Sequence, residues 1–167
     1  MNAPASVGDD ELHALTRICN LFTSDEGVQL ALVLHRDGQI LVSSGNSANV
    51  DVASMAALSA GILAGAKGMA SLVNEQEFLC VFHEGVSQKL LICPIEASAI
   101  LMIHFDQRKT LGWVRFQARK HMHDLCVHSQ NLMRKFETAS PALALSNEDD
   151  FESLHFGNFT SREGGLI

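Results

Sequence analysis

Between His121 and His128 the sequence reads HMHDLCVH, which places His121, His123, Cys126 and His128 within eight positions. Imidazole and thiolate side chains at such density are the raw material of a zinc site or of a histidine-activated cysteine. Helical geometry takes the cluster apart. At about 100° per residue, His121 and His128 share a face but lie two turns apart, roughly 10 Å along the axis, while His123 and Cys126 lie on the opposite side. His123 and Cys126, at i and i+3, could give two ligands to a site completed elsewhere, although a surface histidine beside a buried cysteine is the more ordinary arrangement. His35, His83 and His104 fall near strand ends, where an edge histidine is commonplace.

The other reactive types are equally dispersed. Cys19, Cys80, Cys93 and Cys126 are far apart in sequence, form no C-x-x-C pair and mostly sit in apolar runs, as small hydrophobes do. The chain contains no G-x-x-x-x-G-K-[ST] phosphate loop, no G-x-S-x-G elbow and no H-E-x-x-H pair. GILAGAKG is rich in glycine but lacks the spacing and the preceding strand of a phosphate loop. Arg36 is the one mid-domain arginine that could serve as an inserted finger, and its turn position reads as a solvated residue instead. The expectation is a binding module with no catalytic residue, no metal and no cofactor.

Composition narrows the partner. With 12 Lys and Arg against 19 Asp and Glu, the net charge is -7, which argues against nucleic acid or an anionic membrane as the main ligand. Unpaired cysteines suit a reducing cytoplasm. The start, MNAPASVGDDELHAL, has no basic stretch leading into an apolar one, and no later segment approaches eighteen uninterrupted apolar residues, so neither export nor membrane insertion is expected.

The elements that must position any site follow from periodicity. Leu12, Leu15, Ile18 or Cys19, and Phe22 recur at helical spacing behind Asp9, Asp10 and Glu11, giving a first helix over 9–24. VQLALVLH and QILVSS flank RDG and form a hairpin whose turn uses Asp37 and Gly38 for positive φ. In the first strand Val28, Leu30, Leu32 and Leu34 alternate with Gln29, Ala31, Val33 and His35, and both sets are apolar enough to predict cover on both faces. A helix over 51–73 follows, capped by Asn49 or Asp51. EFLCVFHE, QKLLICPI and SAILMIHF make three more strands, with Pro94 at a strand end. A long amphipathic helix runs from Gln107 to about Phe136. The division is a short flexible start over 1–8, one α+β domain over 9–136, and an acidic, flexible tail over 137–167.

The second helix is unusual in its small residues. Ala53, Ala57, Ala60 or Gly61, Ala64 or Gly65, and Gly68 recur at three- and four-residue steps. Each glycine costs about 1 kcal/mol relative to alanine in a helix, so close approach of another backbone is expected in return. The ordinary reading lays this stripe on the protein's own sheet, with Met55, Leu58, Ile62, Met69 and Leu72 supplying bulk. The alternative makes Met55, Ala57, Leu58, Gly61, Ile62, Gly65, Gly68 and Met69 an interface with a second copy or another protein.

The order of elements, together with ALVLHRDGQILVSSG, VDVASMAALSAGILAGAKGMASLV, KLLICPI, ASAILMIHF and LGWVRFQARK, resembles the roadblock/dynein light chain family, in particular its bacterial MglB-like members, over roughly residues 10 to 135. The resemblance implies a five-stranded antiparallel sheet in the order α-β-β-α-β-β-β-α, with the small-residue helix on one face and the terminal helices on the other. It implies a homodimer joined through sheet edges and paired central helices. It also implies a platform for a Ras-like small GTPase, whose GTP hydrolysis such proteins regulate without a nucleotide site of their own.

Two rival functions fit the same fold: a scaffold of a motility, polarity or signalling complex, and a small-molecule sensor. The last helix and its entrance hold Arg108, Lys109, Arg115, Arg119, Lys120, Arg134 and Lys135. An acidic segment, NEDDFESLHF, follows in the tail, where Asp149, Asp150, Phe151, Leu154 and Phe156 could dock on that basic helix or on a further protein partner.

Overall fold

The computed structural model describes residues 8–96 and 99–139. Its elements are α1 (Asp9–Thr23), β1 (Val28–His35), β2 (Ile40–Gly45), α2 (Val52–Leu72), β3 (Val81–Glu84), β4 (Gln88–Ile95), β5 (Ala99–Asp106) and α3 (Leu111–Ala139). The five strands form one antiparallel sheet in the order β2-β1-β5-β4-β3, the expected class and element order. Because β5 inserts between β1 and β4, the two most apolar strands hold the centre.

Central position explains why β1 is apolar on both sides. Leu30, Leu32 and Leu34 pack with Ile92, Ile100 and Met102 under α2, and Ala31 and Val33 join Leu101, Ile103 and Phe105 under α1 and α3. Val28 departs from strict alternation and belongs to the second cluster. A register irregularity against β5 between Val28 and Leu30 adds a residue there and reverses the side on which Val28 falls. The face under α1 and α3 carries the larger core, with Leu15, Phe22, Val114, Leu125 and Leu132 all buried.

Three boundaries differ from the sequence reading. In the hairpin only Gly38 adopts positive φ, at 93°, while Asp37 accepts the Gln39 N–H at 2.9 Å and closes the turn with its side chain. β3 is four residues long, not eight: the register sets Val81 against Ile92, and its extension would place Leu79 opposite Pro94, which offers no N–H to a ladder. α3 begins at Leu111, not Gln107, because Asp106 accepts the Arg108 N–H at 2.9 Å and Thr110 Oγ1 accepts the Trp113 N–H at 3.2 Å. Within the described residues it extends to Ala139, beyond Phe136.

Glu11 ties the two helices of the larger face together. His128 Nδ1 lies 2.6 Å from its Oε2, and Lys135 Nζ donates to its Oε1 at 3.2 Å. These bonds, His128 first, hold the carboxyl below the usual glutamate range although burial opposes them. A lowered folded pKa means the stabilisation is complete above the ordinary carboxylate range and is lost as pH falls through the folded value. Glu11→Gln should therefore cost about 1–2 kcal/mol near neutral pH and markedly less near pH ~3, measured by urea melts at both.

Candidate partner interface

α2 starts where Asp51 caps it, accepting the Ser54 N–H at 3.1 Å and the Ser54 hydroxyl at 2.6 Å. Those bonds lower the Asp51 pKa, and Asn49, the other candidate, is not the cap. The helix meets the sheet along a narrow strip in which only Ala56, Ser59 and Ala70 are buried. Val52, Met55, Ala60, Ile62 and Leu63 flank that strip half-buried, and the opposite side of the helix is open.

The outward side carries the small-residue stripe. A Cβ added at Gly61, Gly65 or Gly68 would meet nothing within 4 Å, so these glycines are not there to fit the protein's own sheet. That corrects the ordinary reading, in which the stripe lay on the sheet. Ala57 is exposed with them, and Leu58, Met69 and Leu72 are 65%, 63% and 83% exposed. Met55 and Ile62 depart from the proposed set: both are half-buried against the apolar cluster of the sheet. The outer face is thus Ala57, Leu58, Gly61, Gly65, Gly68 and Met69, a flat apolar surface of a kind single chains seldom leave bare.

By length and composition α2 could cross a membrane, contrary to the expectation that no segment would qualify. That expectation counted uninterrupted apolar residues, whereas this helix interrupts them with glycine and serine and only one charge, Lys67. Here α2 lies along the sheet, with Ala56 in the cluster formed by Leu30, Leu32 and Ile100.

The residues read for chemistry are placed apart. No group of three metal-capable side chains converges among the described residues. His128 is committed to Glu11, His121 packs edge-on to Phe22, and His104 Nε2 lies 2.8 Å from Gln88 Oε1, its pKa lowered by burial. Arg36 is not a solvated turn residue. Its guanidinium donates to Glu77 Oε1 at 3.0 Å and to the Glu96 carbonyl at 2.8 Å, which pins the hairpin to the segments flanking β3 and β4. Arg36→Ala should cost about 1 kcal/mol in a denaturant melt, the sum expected of a half-exposed ion pair and one hydrogen bond.

The fold also brings together two residues that sequence distance kept apart. One residue beyond the Val81–Ile92 pair of the β3–β4 ladder, the Cys80 side chain meets that of Cys93, and both residues line one groove beside α3. Burial pushes the Cys93 thiol up to about 12. The proposed tail residues Asp149, Asp150, Phe151, Leu154 and Phe156 lie outside the described residues.

Comparison with known proteins then places the fold. The family model described as the Roadblock/LC7 domain matches residues 15–105. The chain is a member of the Roadblock/LC7 family. Among solved structures, this roadblock chain is similar to Myxococcus xanthus MglB, with 31% identity over 74% of this chain and 93% of that one and a TM-score of 0.69. The gliding protein MglB of Thermus thermophilus gives 20% identity, 78% and 98% coverage and a TM-score of 0.69. An MglB described with a tetrameric arrangement gives 20%, 78% and 95%, and 0.65. The last two carry the fold alone; the first makes this an MglB-like roadblock protein. No curated protein sequence matches.

Proposed function

We propose that this MglB-like roadblock protein is a non-catalytic, dimeric regulator that binds a Ras-like small GTPase in the cytoplasm and modulates its GTP hydrolysis. The observation that carries the reading is the outer face of α2, where Gly61, Gly65 and Gly68 have open space beside them and Leu58 and Met69 stand exposed. Two copies of such a helix can approach backbone to backbone, and an isologous pair of them makes a symmetric apolar floor. Family membership and the likeness to Myxococcus xanthus MglB support the same assignment.

The regulation acts through shape. Arg36 is held by Glu77 and the Glu96 carbonyl, so no mid-domain arginine is offered to a neighbouring nucleotide from that turn. A platform that stabilises the hydrolysis-competent arrangement of the GTPase needs surface and rigidity only.

The test is single-turnover GTP hydrolysis by a Ras-like GTPase of the same organism, with and without this protein, alongside co-elution. Faster hydrolysis that survives Arg36→Ala is the expected result. Co-elution with an unchanged rate would replace regulation by scaffolding. Failure to bind would overturn both and return attention to a small-molecule ligand, sought as a shift in melting temperature.

A further inference from the structure

The two helices of the larger face do not cover all of it. α1 lies over β1 and β2, and α3 over β4 and β5, so the sheet continues past α3 toward its β3 edge. The space left between α3 and that edge is a groove of 160 Å³. Leu79, Cys80, Cys93 and Met122 form its apolar lining, and Arg115 and Arg119 stand exposed along it, one helical turn apart. Leu79 is 78% exposed, a large apolar side chain that none of the described residues covers.

Charge in the groove is as unanswered as its apolar surface. Arg36, Lys89, Arg108, Lys109 and Lys135 all have carboxylate partners. Among the described residues Arg115 and Arg119 have none. The chain itself contains the complementary sequence: NEDDFESLHF at 147–156 sets Glu148, Asp149, Asp150 and Glu152 around Phe151, with Leu154 and Phe156 beyond. Distance permits the match. At about 1.5 Å per helical residue Arg119 lies about 30 Å back along α3 from Ala139, and the twelve residues 140–151 reach about 40 Å when extended.

We propose that residues 147–156 dock in this groove of their own chain, the carboxylates on Arg115 and Arg119 and the apolar side chains over Leu79 and Met122. Exposed ion pairs contribute little each, so the anchors are Phe151 and Leu154, and the charges set register and direction. Docking covers Cys80 and makes the contact sensitive to salt. The inference concerns a face opposite α2 and stands whether or not a GTPase binds there.

The experiment uses the full chain with the photo-reactive residue benzoylphenylalanine at position 151. That chain is refolded with an excess of 15N-labelled chain lacking the probe, so that a link within one chain is light and a link to a neighbour is heavy. The expected result is light links to residues 79–80 or 115–122, reduced in about 0.5 M salt. Links elsewhere, heavy links showing a neighbour's groove, or no links would each overturn the proposal. Alkylation of Cys80 by neutral N-ethylmaleimide gives a second measure. In full-length R115E/R119E it should quicken about tenfold, with Cys126 as the internal reference. Added negative charge by itself slows a thiol by raising its pKa, so acceleration reports uncovering, and an unchanged or slower rate would count against docking.

Discussion

Gly45→Ala is expected to lower the stability of the fold by about 3 kcal/mol or more, the largest single-residue effect we anticipate. Gly45 closes β2 with φ at 109°, a conformation that side chains rarely adopt, and an added Cβ would sit 2.3 Å from the Gln29 carbonyl oxygen. That oxygen already accepts the Asn46 N–H at 2.8 Å, so the methyl group would strain the backbone and displace a hydrogen bond together. Relief is blocked on the other side, where Thr23 Cγ2 would be 3.0 Å away and Ser44 is tied to Asn20 at 2.6 Å. Thermal or denaturant melts of the purified variant check this. A loss below about 1 kcal/mol would mean the corner relaxes freely.

The second large effect has the opposite sign for folding. Gly61→Leu with Gly65→Leu places two leucines where each new Cβ has open space, and in a helix leucine is favoured over glycine by up to about 1 kcal/mol per site. The isolated chain should therefore gain stability while self-association weakens by about a hundredfold or is abolished, because two bulky side chains hold the helices apart. Sedimentation measures the mass, and melts at several protein concentrations measure the linkage: wild-type stability should rise with concentration and the variant's should not. A variant that still associates as the wild type does would sink the paired-helix reading. One that unfolds would mean the stripe has a covering in its own chain.

Much of the fold was readable because its signals are local. The alternation in β1, the Asp37-Gly38 turn and the 3.6-residue spacing of α1 and α3 each name their element without help from the rest of the chain. What could not be read was direction and partnership. α2 is apolar on nearly every side, so its periodicity gives the relative bearings of Gly61 and Ile62 but not which of them faces the sheet. The sheet decides, taking Met55 and Ile62 and leaving Gly61, Gly65 and Gly68 outside.

The same limit explains the other misreadings. A register slip at Val28, the stop that Pro94 puts on β3, and the meeting of Cys80 with Cys93 are all properties of pairs of strands, invisible in either strand alone. Arg36 belongs to this group, since its partner Glu77 stands beyond the whole length of α2. Asp106 is a milder case. Its Arg108 neighbour could be guessed from sequence, and that contact, first among several, holds its carboxyl down to about 2, but the bond it accepts from Gln29 at 2.8 Å could not be guessed.

The position of β5 governs how the molecule can come into being. Among the described strands the last to be synthesised is the middle one, and it pairs with β1 across roughly 70 intervening residues, a separation that slows folding. Until Asp106 has left the ribosome, β1 and β4 each present an apolar edge with no neighbour, and α2 has no finished sheet to lie on. Until the sheet closes, Met55 and Ile62 of α2 lack the cover of Ile100 and Met102, so the helix exposes more apolar surface during synthesis than in the finished fold, where its outer face alone stays open.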